Sequence, residues 1–237
     1  MIIGDDMKDK LYKSLVIIFY MISLFILLFC IKIRLTPNIY IETYPRLIIL
    51  IIACILIYIN GYILVKKLNC SKKILRINLI VYFLIYTVTI FTLTLFDEIF
   101  GRQGLVIIDW DKQLVKTYMK YSFNIVPFRT IILFTKGYMR GIVSFRNFSV
   151  NIIGNLCAFM PYALLLPLIF NKMNKFYRFL ITMILIVLSI EILQFLTVSG
   201  SCDIDDLILN VTGASIVYLI IKIKPVNSFI RKVFLFE

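Results

Sequence analysis

Apolar residues in this chain fall into six long runs, at 14–31, 47–65, 77–96, 151–170, 179–198 and 207–223. An α-helix rises about 1.5 Å per residue, so runs of roughly 17–20 residues match the ~30 Å hydrocarbon core of a bilayer. No small-residue cleavage site follows the first run, which reads as an uncleaved helix rather than a signal peptide. Thr87, Thr89, Thr92 and Thr94 lie along the third run, where threonines usually bond back to their own backbone. Pro161 and Pro167 predict kinks in the fourth. One connection is long, 97–148, and it holds the only tryptophan, Trp110. Its second part, 124–145, mixes aromatic and aliphatic residues with Arg129, Lys136, Arg140 and glycine breaks. The apolar stretch 131–134 is too short to span, so this part reads as an interfacial or re-entrant segment.

Composition agrees with this pattern. Of the 237 residues 61% are hydrophobic, against about 45–50% in a soluble globular chain, and the mean hydropathy is +0.96. The net charge of +13 is spread between the apolar runs. Such a distribution suits loops and anionic headgroups, and no basic soluble face for nucleic acid is present. With six spans both termini share a side. Fifteen of the 26 Lys and Arg fall on that side and 11 on the other, which predicts cytoplasmic termini and an extracytoplasmic long loop between helices three and four. The expected protein is an all-α integral membrane bundle of about six transmembrane helices. The five cysteines show no zinc or disulfide spacing. There is no histidine, which removes histidine acid–base catalysis and His-ligated metals.

Polar residues inside or at the mouths of these runs are costly and need a reason. Asn151 and Asn155 open the fourth run, and Glu191 and Gln194 close the fifth. Asp203, Asp205, Asp206 and Asn210 open the sixth, and Asn124, Pro127, Phe128 and Arg129 lie in the long connection. The start of span four, the end of span five, the start of span six, the long connection and Arg102 all face one membrane side, whichever way the chain is inserted. Helical spacing puts Asn151 with Asn155, Glu191 with Gln194, and Asp206 with Asn210 and Gly213 on shared faces. These residues are expected to line one outward-facing polar pocket. A plainer account stands beside it. Asp203 can cap the sixth helix, with Asp205 and Asp206 favoured by its dipole, while Asn155 and Asn210 join helices and Gly154 and Gly213 let them approach. Chemically, Glu191, Asp203, Asp205 and Asp206 suit a divalent cation held by oxygen ligands, an amine, or a pairing with Arg102 and Arg129.

Four motifs in order carry a resemblance. Asn124-Ile125-Val126-Pro127-Phe128, Asn151-Ile152-Ile153-Gly154-Asn155 with Phe159 and Pro161, Glu191-Ile192-Leu193-Gln194, and Asp203 through Gly213 resemble the corresponding motifs of the VanZ-like family. The chain then divides into an N-terminal two-helix extension at 1–76, a VanZ-like membrane domain at 77–223 and a basic cytoplasmic tail at 224–237. One departure is that the Gly-Arg many members carry before the acidic motif is replaced here by Ser199-Gly200-Ser201-Cys202. A salt bridge assumed for relatives at that point is absent or is supplied by Arg129 or Arg102.

The resemblance implies a multi-pass protein of the bacterial plasma membrane. Founding members are linked to low-level resistance to teicoplanin-type glycopeptide antibiotics. Their biochemical activity is not part of that resemblance; taken with the single-sided pocket, the resemblance leads to the expectation of a non-enzymatic envelope protein whose pocket takes a membrane lipid headgroup, a lipid-linked wall precursor or the glycopeptide, without a cofactor. The alternative is a membrane enzyme acting on a lipid or wall precursor with a divalent cation. A transporter is disfavoured, because no inverted repeat of broken helices is visible.

Overall fold

The computed structural model describes residues 2–35, 43–96 and 112–235; Arg102 and Trp110 lie outside the described residues. Helices α1 (Ile2–Leu35), α2 (Thr43–Tyr62) and α3 (Lys73–Phe96) come first, with α2 ending in a π-helical turn, Ile63–Lys67. Then follow α4 (Lys112–Tyr121), the two-residue strand β1 (Phe123–Asn124) and α5 (Arg129–Met139). A broken helix comes next: α6 (Phe145–Phe148), a π-helical stretch Ser149–Gly154, α7 (Asn155–Ala158) and α8 (Met160–Ile169). The chain closes with α9 (Phe176–Thr197), strand β2 (Cys202–Asp203), α10 (Ile204–Lys222) and α11 (Lys224–Phe234).

The fold is all-α and of membrane type. Among the described residues six helical segments are long and apolar enough to cross a bilayer: Met7–Lys32, Tyr44–Lys67, Lys73–Leu95, Phe145–Ile169, Phe176–Thr197 and Ile204–Lys222. They coincide with the six apolar runs. The fourth begins at Phe145 instead of 151, because Ser144 caps the helix there by accepting the Asn147 N–H. The threonines of α3 do bond backwards, Thr87 to the Phe83 carbonyl at 2.7 Å, Thr89 to Ile85 at 2.7 Å and Thr94 to Ile90 at 2.8 Å.

Pro161 breaks the fourth span as its chemistry requires. The helix stops at Phe159 (φ −109°, ψ 1°) and restarts as α8 with the proline in its first turn. Tyr162 N–H bonds to the Phe159 carbonyl at 3.2 Å, so the Ala158 carbonyl loses its usual helical donor. The Tyr86 hydroxyl of α3 donates to it. A neighbouring helix thus satisfies a carbonyl that the break at Pro161 left open, as apolar surroundings demand.

The chain folds into two compact units, Met1–Tyr82 with Phe229–Glu237, and Phe83–Ser228. In the first, α1 packs on α2, the Asn78 amide donates to the Ile57 carbonyl at 3.2 Å, and the Tyr58 hydroxyl donates to the Val233 carbonyl at 3.1 Å. In the second, α10 packs against α7, α8 and α9. Its core is aromatic: Phe179 stacks on Tyr218 at 4.4 Å and Tyr86 meets Tyr162 edge-on at 5.2 Å. Large apolar side chains on the outer faces, including Leu185, Leu188, Ile192 and Leu219, remain exposed, as lipid-facing residues do.

Candidate functional site

The site is built where two connections meet. β1 and β2 pair in parallel, with Phe123 opposite Cys202 and Asn124 opposite Asp203, and the Cys202 N–H bonds to the Ser122 carbonyl at 2.8 Å. This short pairing brings the Asn-x-x-Pro-Phe motif onto the start of α10. Helix α4 covers the junction from its apolar stripe, where buried Tyr118 donates its hydroxyl to the Gly200 carbonyl at 2.7 Å.

Asp203 caps α10 by accepting the Asp205 N–H at 2.9 Å. The same oxygen accepts the Asn124 side-chain amide at 2.8 Å, and the other takes the Thr130 hydroxyl at 2.5 Å. Its own N–H donates to Glu191 Oε2 at 3.1 Å. Asp203 therefore ties α9, α10, β1 and α5 together. The plainer account of this acid holds, with more partners than a cap alone requires.

Asp205 is fully buried and does not serve its own helix. Its carboxylate accepts Phe128 N–H at 2.5 Å on one oxygen, and Thr130 N–H at 2.7 Å and Ile131 N–H at 3.1 Å on the other. These are the free donors at the start of α5. An anion there is favoured by the exposed N–H groups and by the helix dipole. Arg129 N–H bonds to the Val126 carbonyl at 3.4 Å, and Phe128 sits at φ 66°, so Val126-Pro127-Phe128-Arg129 is a type II-like turn with Pro127 at its second position. A non-glycine residue there is strained by about 1–2 kcal/mol, and the carboxylate holds the strained peptide in place. Asn124 Oδ1 adds a bond from the Val126 N–H at 3.1 Å.

On the other side of α10, Asp206 Oδ1 accepts the Asn155 amide of α7 at 2.5 Å. Asn155 also donates to the Asn151 carbonyl at 3.0 Å, and Asn151 to Asn147 at 2.8 Å. Asn210 donates to the Asp206 carbonyl at 2.7 Å, and Gln194 to the Thr94 carbonyl at 3.0 Å. Each of these two side-chain amides donates to backbone, and Gln194 Oε1 and Asn210 Oδ1 are buried without a hydrogen-bond partner among the described residues. One helical turn beyond Asn210, Gly213 meets Leu156 at backbone distance; this contact lies next to Asn155 in α7 and about two turns along α10 from Asp206.

All four predicted motifs thus converge in the second unit. A sequence profile of the VanZ/LLP1 family matches residues 83–225. The chain belongs to the VanZ/LLP1 family. No curated protein and no solved structure matches it. The VanZ/LLP1 match covers nearly the same residues as the compact unit Phe83–Ser228.

Within the VanZ/LLP1 region Arg129 is exposed and forms no ion pair with an acid among the described residues, so it does not stand in for the missing arginine before the acidic motif. Pro127 is exposed and acts through its turn. Among the described residues no three His, Cys, Asp or Glu side chains are grouped to hold a metal ion. The oxygens of Asp203 and Asp205 face N–H and O–H hydrogens, the reverse of what a cation would need. Cys202, between α9 and α10, reports the local field. Burial first, and then the negative charges of Glu191, Asp203 and Asp206, push its thiol up to about 11.

Sequence reasoning missed Thr130, Tyr118 and Thr94. Thr130 follows the Asn-x-x-Pro-Phe motif by two residues, and Tyr118 lies on the apolar stripe of α4 with Leu114 and Val115. Both signals were readable once α4 and α5 were known to be helices. Thr94 contributes only its carbonyl, which no side-chain pattern reveals.

Proposed function

We propose that this is a non-enzymatic envelope protein of the bacterial plasma membrane that lowers susceptibility to teicoplanin-type glycopeptides by binding a lipid headgroup or a lipid-linked wall precursor. The termini are cytoplasmic and the polar cluster faces outward, in line with the excess of Lys and Arg on the terminal side. The reading rests on one observation above others: the carboxylates of Asp203 and Asp205 are consumed by N–H and O–H donors that hold α5 and β1 in place. Carboxylates whose oxygens are filled by such donors have their hydrogen-bonding capacity spent inside the fold. They build a rigid platform for binding. The two buried carbonyl oxygens of Gln194 and Asn210 that lack hydrogens are the groups left for a ligand that donates, such as an amine or hydroxyl. Helix α5 carries exposed Ile132, Leu133 and Met139 beside Arg129 and Lys136 and suits the headgroup boundary, where such a ligand is presented.

Susceptibility decides it. Deletion should lower the inhibitory concentration of teicoplanin several-fold without changing that of an unrelated wall antibiotic. Restoring the wild-type gene, but not one carrying Gln194→Leu with Asn210→Leu at equal membrane abundance, should recover it. An unchanged response in both the deletion and the overexpressing strain removes the resistance reading.

A further inference from the structure

The C-terminal helix α11 and the basic end of the first unit are not used by the polar cluster. At about 100° per residue, α11 places Val226, Phe229, Ile230, Val233 and Phe234 on one half and Lys224, Asn227, Ser228, Arg231 and Lys232 on the other. A short helix with an apolar face, a basic face and low overall hydrophobicity lies in a membrane interface. Its seating is visible. Tyr58 of α2 donates to the Val233 carbonyl at 3.1 Å, and Phe234 lines a small cavity with Tyr58, Gly61, Leu75 and Tyr82 of α2 and α3. Phe229 stays 66% exposed on the apolar side.

The same end of this unit carries Lys66 and Lys67 on the π-helical turn, Lys72 and Lys73 at the start of α3, and Arg76 one turn further, all exposed. Arg231 and Lys232 of α11 are exposed as well. No Asp or Glu occurs in 63–96 or 224–235. Helix α1, which packs on α2 and its π-helical turn, adds Lys8, Lys10 and Lys13 together with Asp5, Asp6 and Asp9 in its first turns; the balance stays strongly basic and matches a surface of negative charge in the bilayer plane.

We infer that α11 and the α2–α3 turn form a binding surface for anionic phospholipid headgroups. Phe229 enters the acyl boundary, and the phosphates of the leaflet sit among Lys67, Lys72, Lys73 and Lys232. The surface is independent of the function proposed above. It uses charge and depth rather than the polar cluster, and it would hold if the resistance reading failed.

The test uses the full chain in nanodiscs of equal parts phosphatidylcholine and phosphatidylglycerol, with the lipids that stay bound after detergent extraction counted by native mass spectrometry. Wild type should retain phosphatidylglycerol well above its share. Lys67→Gln with Lys72→Gln, Lys73→Gln and Lys232→Gln should lower that enrichment by up to roughly fivefold per charge removed, while the four Lys→Arg changes keep it. Because all four side chains are exposed, an unaltered fold is expected and is checked by circular dichroism. Equal enrichment in the Gln variant overturns the inference. So does displacement of the lipid by inorganic phosphate beyond that by chloride at equal ionic strength, which would mark a site for free phosphate.

Discussion

A Cβ placed on Gly213 would stand 1.7 Å from the Leu156 carbonyl oxygen and 2.8 Å from its carbonyl carbon. Two membrane helices therefore touch backbone to backbone at this point, and only glycine permits it. Leu156 follows Asn155, which bonds to Asp206 about two turns back along α10, so the same pair of helices is joined by a polar bond and a backbone contact. Gly213→Ala must push α10 from α7. Its expected cost is roughly 3 kcal/mol or more, the upper range of overpacking, against about 1 kcal/mol for Gly141→Ala, where φ is 71° and the space is open. Reversible unfolding of the two variants in detergent would show it, and equal stabilities would refute the close-approach account.

Asp205 reaches across more than 70 residues of sequence to hold the start of α5. In Asp205→Asn, one acceptor oxygen becomes an N–H₂ facing backbone N–H donors. Losing charge-assisted bonds worth about 1.5–3 kcal/mol each should free this turn while leaving α10 formed, since Asp203 still caps it. Hydrogen exchange should accelerate at Phe128, Thr130 and Ile131 by at least an order of magnitude, with 207–221 unchanged. Protection preserved at those three amides would show that Asp205 is not what holds the turn.

Cys202 gives a pH-dependent readout of the acidic cluster. Its thiol is pushed up to about 11, first by burial and then by Glu191, Asp203 and Asp206. Only the thiolate reacts with maleimide. Alkylation at pH 8 should therefore run about a hundredfold slower than for a thiol titrating at 9, and it should rise through a midpoint near 11. Removing a neighbouring negative charge lowers a thiol's pKa, so Asp206→Asn should move that midpoint to lower pH. A midpoint near 9 in wild type, or no shift in the variant, would separate Cys202 from the cluster.

Several expectations from the sequence were met in the structure for local reasons. Pro161 broke the fourth span because a missing N–H and a ring clash act within one turn, and Thr87 and Thr89 bonded back to carbonyls four residues earlier. The start of the fourth span was placed six residues late, since Arg146 and Asn147 hide a helix that Ser144 caps. The convergence of Asn124, Asn155, Glu191, Gln194 and Asp206 was readable from topology, because span order alone puts those ends on one side. What each acid does there was not. Asp205 looked like a first-turn residue of its own helix and caps another.

The sequence by itself determined six membrane-spanning lengths, the family motifs and their placement at one end of the domain, because hydrophobic length and span order are properties of the chain taken in order. Tertiary structure alone decided the partners. The β1–β2 pairing, the carboxylate of Asp205 under the Phe128 turn, and Gly213 against Leu156 join residues 50 to 80 positions apart. Which donor meets which carboxylate depends on ångström-scale distances between helices, and no periodicity within one helix encodes that.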